Sequence, residues 1–265
     1  MKRHALFLCI LGLVCFFPGC ANPGSVSRDP NAPPPLRVGV SGSSAPLIWE
    51  AGRGNWSGVE ADFARALGRE IGREVQFVKM SFDRLIPSVQ RGDVDIIMNG
   101  LTVFSQRETL VDFTRPFLTS GQGIMVPTNS GNLFQDPRII YMIPYRIGVK
   151  EGTVGNLVAQ RVRGDSTVVP FPTAQKAANA LKDGKVDLVL HDLPVLWYLA
   201  AQSPTAGYRV VPSRVTTENL AWAVRRGNTT LRNQADNALT KWRENGTLDR
   251  ILRTYMPRYD VLESL

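Results

Sequence analysis

Ser88-Val89-Gln90-Arg91-Gly92-Asp93-Val94-Asp95-Ile96-Ile97-Met98 returns downstream as Ala180-Leu181-Lys182-Asp183-Gly184-Lys185-Val186-Asp187-Leu188-Val189-Leu190, at a fixed offset of 92 residues. In each copy an amphipathic segment stops at a glycine, an aspartate follows three positions later, and a short apolar run begins. That order reads as a helix ending in a turn that feeds a buried strand. Ser81 and Thr173, the hydroxyl residues placed to open the two helices, keep the same offset. A recurrence of this length points to two copies of one α/β unit in a single chain.

The flanking residues extend both units. Leu36-Arg37-Val38-Gly39-Val40 alternates like a strand, and Val59, Phe63, Ala66, Leu67 and Ile71 recur at helical spacing over Gly58 to Ile71, with Gly72 as the stop. Glu74 to Met80 alternates again, Ser81 opens a helix carrying Leu85, Ile86 and Val89, and Val94 to Met98 forms a buried strand. The second unit repeats this β-α-β-α-β order: Arg146 to Val149, a helix from Thr153, Thr167 to Phe171, a helix from Thr173, and Val186 to Leu190. Asn219 to Arg225 reads as one further strand, and Thr229 to Glu244 as an amphipathic helix that returns to the first unit. Parallel sheets bind ligands beyond the carboxyl ends of their strands. Those ends are Asn99-Gly100-Leu101-Thr102 in one unit and His191-Asp192 in the other, which nominates a cleft between two lobes.

Outside the two units the chain carries an address. Lys2, Arg3 and His4 precede an apolar run from Ala5 to Phe17, the layout of a secretory signal and too short to span a bilayer. Phe17-Pro18-Gly19-Cys20 resembles a bacterial lipoprotein processing box, in which small Gly19 fits well and Phe17 and Pro18 fit less well. Residues 1–19 are therefore expected to be a signal peptide, and Cys20 the lipidated residue. Five prolines among small polar residues make 20–35 an extended tether. With Cys9 and Cys15 inside the signal, no disulfide framework and no thiolate metal site is expected. The net charge of +8 falls to +6 once Lys2 and Arg3 leave. Lys and Arg are scattered without a basic patch, so no nucleic-acid partner is expected. No Gly-x-Ser-x-Gly elbow and no phosphate loop occurs.

Leu36-Arg37-Val38-Gly39-Val40, Gly58-Val59-Glu60-Ala61-Asp62-Phe63-Ala64, Ser81-Phe82-Asp83-Arg84-Leu85-Ile86-Pro87, Gly100-Leu101-Thr102, Arg107 and Val111-Asp112-Phe113-Thr114-Arg115-Pro116-Phe117 together resemble the family 3 solute-binding proteins, the polar amino-acid receptors of ABC transporters. The resemblance runs from Leu36 to about Tyr255. It implies the two-lobed periplasmic binding protein fold, α/β, with each lobe a mostly parallel sheet flanked by helices and two crossover strands joining the lobes. Lobe one would comprise 36–120 and 219–265, and lobe two 121–218, with crossings near Ser120 to Gly123 and Glu218 to Leu220. Gly121 and Gly123 would suit a hinge through unusual dihedrals.

The implied function is capture of an amino acid, or a similar small carboxylate zwitterion, by hinge closure, without catalysis or cofactor. Its partners would be a permease and an ATPase, and the protein a lipid-anchored monomer of the cell envelope, at the periplasm or extracytoplasmic face. Burying either charge of a zwitterion requires a partner. Arg107 matches the carboxylate-binding arginine, supported by a Ser105-x-x-Glu108 capping box, with Thr102 adding a hydroxyl and Gly100 an amide. Gly152 and Thr153 sit at a helix start that favours an anion, and Thr153 equally reads as a plain N-cap. Asp192 matches the ammonium-binding acid, although Asp192-Leu193-Pro194 also reads as a helix N-cap. Phe82 is placed to pack on the ligand side chain. Ser41 replaces the acid common in binders of basic amino acids, and Ser44 replaces a frequent aromatic; Ser43, Trp49 and Arg84 are candidates to fill that space. Two other readings stay open. A dehydratase acting on carboxylated rings, of the cyclohexadienyl or arogenate type, would draw on Glu151, His191 or Glu218 as proton donors. A sensory module would bind the same ligand and report to a membrane kinase.

Overall fold

The computed structural model describes residues 32–130, 133–162 and 165–265. The signal segment, Cys20 and the tether up to Asn31 lie outside the described residues. Among those described, no helix is long and apolar enough to cross a membrane.

The repeat seen in the letters is a repeat in space. One sheet has the order Val75–Lys79, Leu36–Val40, Ile96–Ile97, Ala223–Arg225, Val111–Phe113, and the other Thr167–Phe171, Arg146–Lys150, Leu188–Asp192, Gln122–Pro127, Tyr208–Val210. In both, the first three strands are parallel and the last two pairings antiparallel. The register repeats as well: Val38 pairs with Ile96, and Ile147 with Leu188, the same offset of 92 between Ile96 and Leu188. The sheets are thus more mixed than the parallel core alone, because each takes its fourth strand from a chain segment running back from the other lobe. The expected strand Asn219 to Arg225 is broken into Glu218–Leu220, which crosses between lobes, and Ala223–Arg225, which joins the first sheet.

Asp95 and Asp187 explain why the repeat keeps its second aspartate. Asp95 accepts from the Arg37 amide at 3.0 Å, from Arg37 Nη2 at 2.6 Å and from Arg73 Nη2 at 2.8 Å. Asp187 accepts from the Arg146 amide and from Arg146 Nη2, both at 2.7 Å. Each carboxylate therefore caps the start of the first strand of its own unit. Gly39 and Gly148 form the matching close approach: a Cβ on either would stand 3.2 Å from Val94 or Val186.

Lobe one is closed by both ends of the chain. Phe63, on helix Val59–Glu70, stacks on Trp242 at 5.7 Å and meets Trp222 at 5.6 Å and Phe117 at 5.7 Å. Trp242 lies on helix Thr229–Glu244, so this aromatic cluster ties the returning tail to the first lobe. Truncating such a ring costs about 3–5 kcal/mol, more than any single surface ion pair supplies.

The crossings are strands Leu118–Ser120 and Glu218–Leu220, paired antiparallel with Glu218 opposite Ser120. Gly121 and Gly123 are present for a different reason from the one expected, since neither adopts a positive φ. A Cβ on Gly121 would fall 1.8 Å from the Thr216 carbonyl oxygen, and one on Gly123 2.2 Å from Leu193 Cδ2. Close passage of two chain segments, not dihedral freedom, demands them.

Glu60 fixes the loop that carries the candidate site. It is fully buried on helix Val59–Glu70, and its Oε2 accepts a short hydrogen bond from the Gly100 amide. Burial pushes its pKa up to about 8, against the opposing pull of the Gly100 and Asn99 amides. Gly100 has φ +63°, and a Cβ there would strike Leu47 Cδ1 at 2.7 Å. Only glycine fits this turn over the buried carboxyl group.

Two outcomes are expected. Asp95→Ala should lower stability by about 1–3 kcal/mol, more than Asp187→Ala, because Asp95 is more buried and holds Arg73 too; urea unfolding measures both, and equal losses would count against the account. For Glu60, the folded chain retains the proton up to about pH 8 while the unfolded chain releases it near 4.5. Between those values the folded state binds more protons, so stability falls as pH rises, by up to about 1.4 kcal/mol per pH unit. Glu60→Gln should remove that slope between pH 5 and 8, and parallel wild-type and mutant curves would mean that Glu60 is ionised in the folded chain.

Candidate functional site

Residues following the central strands of both sheets line one cavity. Ser44, Phe82, Asn99, Gly100, Thr102 and Arg107 come from one lobe, and Lys150, Thr153, His191 and Asp192 from the other. The space between them is about 10 Å³, the size of one water. Seven of the eight ligand-binding residues expected from the sequence face it. Gly152 is the eighth, and it contributes a carbonyl that accepts from Arg107 Nη2 at 3.4 Å across the cleft.

Arg107 is buried and is held by carbonyls and rings. Its Nη1 donates to the Thr102 carbonyl at 3.1 Å, and its guanidinium lies over Phe104 at 4.7 Å and Phe82 at 5.6 Å. Burial lowers its pKa to about 10, while the charges of Asp192 and Glu218 support the cation. It therefore stays protonated at neutral pH. The expected capping box does not form: Phe104 occupies the N-cap of helix Ser105–Glu108, and Ser105 lies already inside the turn.

Asp192 does not act as a helix cap. It sits at the N-cap of helix Leu193–Gln202, but its side chain makes no capping bond. Instead Oδ1 accepts from Gln122 Nε2 at 2.5 Å, and Oδ2 lies 3.3 Å from His191 Nδ1. Burial opposes its ionisation, yet His191, the Gln122 bond and the Lys150 charge together hold its pKa below the usual value. The same Gln122 Nε2 also donates to Glu218 Oε2 at 3.1 Å. Glu218 is pushed the other way, first by burial and then by the neighbouring Asp192 charge.

Three expected donors are engaged elsewhere. The Gly100 amide bonds to Glu60, and the Thr102 hydroxyl donates to Glu218 at 3.1 Å. Thr153 makes no side-chain cap for helix Val154–Ala159; its hydroxyl donates to the Lys150 carbonyl at 2.7 Å. Of the residues considered for the space left by small Ser44, Ser43 reaches the site, Arg84 is exposed, and Trp49 packs against Tyr198 and Tyr255. Phe82 lines the cavity, with Arg107 and Lys150 both over its ring.

Sequence reasoning missed Lys150, Gln122 and the support from Glu60. Lys150 ends strand Arg146–Lys150 and is 2% exposed. Its Nζ donates to Ser43 Oγ and Ser44 Oγ, both at 3.3 Å, and stands 4.8 Å from the Phe82 ring centre. Burial lowers its pKa to about 8, with Asp192 opposing the fall. The rule that nominated Asp192, a strand's carboxyl end, applies equally to Lys150. Glu151, by contrast, is exposed, and His191 lines the cavity with Nε2 lacking a hydrogen-bond partner. Among the described residues, no group of three or more His, Cys, Asp or Glu is placed to hold a metal ion.

Similarity to known proteins agrees with this geometry. A probable histidine-binding protein of Neisseria gonorrhoeae is 27% identical over 241 residues, covering 90% of this chain and 85% of that protein. Among solved structures, an ancestral arginine-binding protein bound to arginine superposes with a TM-score of 0.78 at 29% identity, covering 83% of this chain and 97% of the other. An ancestral amino acid-binding protein described as a precursor of cyclohexadienyl dehydratase gives a TM-score of 0.76, also at 29% identity, covering 83% and 94%. Residues 36–258 match the sequence profile of one family throughout, and the chain belongs to it: the bacterial extracellular solute-binding proteins, family 3.

Proposed function

We propose that this chain is the substrate-binding subunit of an ABC uptake system, clamping an amino acid between its lobes and delivering it to a membrane permease driven by an ATPase. One observation carries the reading: buried Arg107 from one lobe and part-buried Asp192 from the other, oppositely charged, line a single small cavity. The guanidinium fork matches a carboxylate, and an aspartate kept ionised matches an ammonium. The lobes would divide near Ser120 and Glu218, where the crossing strands pair. Delivery to a permease fits an extracytoplasmic site, with Cys20 as the lipid attachment and the chain a monomer.

The dehydratase reading needs a proton donor over the ligand. Glu151 is exposed and Glu218 is taken up by Thr102, Gln122 and Thr216, which leaves His191 as the donor that lines the cavity. An amino acid bound by Arg107 and Asp192 needs no such donor, and the binding reading is preferred.

Calorimetric titration with the common amino acids should find at least one ligand. Arg107→Ala and Asp192→Asn should each weaken it by at least about tenfold. Turnover of prephenate, or a mutant as tight as the parent, would defeat this assignment. An amino acid is larger than the space in this conformation, so the lobes would part to admit it and close onto it less completely than they do here. Small-angle scattering should therefore show a smaller radius of gyration with ligand than without, and identical curves would argue against a clamp.

A further inference from the structure

Lys150 is not required by a plain zwitterion, since Arg107 answers the carboxylate and Asp192 the ammonium. Yet its ammonium is buried in the same cavity, 2% exposed, with two serine hydroxyls and the Phe82 face as neighbours. Among the described residues it forms no ion pair. Asp192 is the one acid facing both buried cations and is in contact with neither as an ion pair, so a further anion beside the Lys150 ammonium is strongly favoured. The charges lining the cavity are unequal: Arg107 and Lys150 are cations and Asp192 is the one acid. Glu218 stands behind Thr102 rather than on the cavity wall, its carboxylate held by Thr102, Gln122 and Thr216.

We infer that the ligand carries a second carboxylate, as aspartate and glutamate do, and that Lys150, with the Ser43 and Ser44 hydroxyls, is the group that selects it. The inference rests on the amino-acid reading of this site. With such a ligand every cavity charge is matched: Arg107 by the α-carboxylate, Asp192 by the ammonium, Lys150 by the side-chain carboxylate. An arginine or lysine ligand would instead put a third cation beside a single aspartate. This separates the chain from relatives named for arginine and histidine.

The test is calorimetric titration of the purified protein with L-glutamate, L-aspartate, L-glutamine, L-asparagine and L-arginine, repeated on Lys150→Met. One of the two acids should bind at least about tenfold more tightly than its amide and than L-arginine. Lys150→Met should weaken that acid by at least about tenfold and its amide by less than about threefold. An amide or L-arginine binding as tightly as the acids would overturn this inference and leave the amino-acid reading intact. So would a Lys150→Met variant that weakens acid and amide equally. Binding of none of the five, nor of any other amino acid, would remove both. The wild-type ranking needs no variant, and it decides the ligand class even if Lys150→Met fails to fold.

Discussion

The site depends on one side-chain amide. Gln122 Nε2 donates to Asp192 and to Glu218 together, so two part-buried carboxyl groups share one donor. Their titrations part all the same: burial and the Asp192 charge push Glu218 up, while His191, the Gln122 bond and the Lys150 charge hold Asp192 down against its burial. Gln122 can do this because it begins the strand that leaves the crossing, beside the tight passage of Gly121 against Thr216. Its own amide donates to Thr216 Oγ1, which in turn donates to Glu218. Asp192 is therefore positioned from the crossing strands, and the charge state of the cleft is tied to the segment about which the lobes would move.

The rest of the fold holds that network to tolerance. Each lobe presents the carboxyl ends of its parallel strands to the cleft, and Asp95 and Asp187 lock the first strand of each unit to the third by the same ion pair. Glu60 supports the Gly100 turn from beneath, while the Phe63, Trp222 and Trp242 cluster binds the returning tail into the first lobe. None of these groups needs to touch a ligand. They set the distance between Arg107 on one wall and Asp192 on the other.

Much of this was legible in the letters, and the failures share one physical cause. The offset of 92 located both parallel units and both strand ends, because helix stop, turn and strand entry are local chemistry. Arg107, Asp192 and Phe82 were assigned through family resemblance and do line the cavity. Gly100 and Thr102 line the cavity too, held by partners that the sequence reading did not name. Their donors go to Glu60 and Glu218, 40 and 116 residues away, and no local pattern encodes such pairings. Lys150 was passed over because the strand was read to end at Val149, one residue short of it. Its burial comes from Ser43 and Ser44, more than a hundred residues earlier in the chain.

The contacts that bridge the cleft also bear on affinity. Arg107 reaches the Gly152 carbonyl at 3.4 Å, and Lys150 reaches Ser43 and Ser44 at 3.3 Å, so both cations of the cavity already span the lobes. These bonds are long compared with the 2.7–2.9 Å usual between an ionised donor and a carboxylate. A ligand entering an opened cleft takes over the same two donors, and binding strength is the difference between its bonds and those it replaces. Weak bridging contacts hold the cations in position while leaving them easily displaced. A ligand with a carboxylate for each cation would exchange these three long, neutral-acceptor bonds for short ionic ones, whereas a ligand with one carboxylate would improve only those of a single cation.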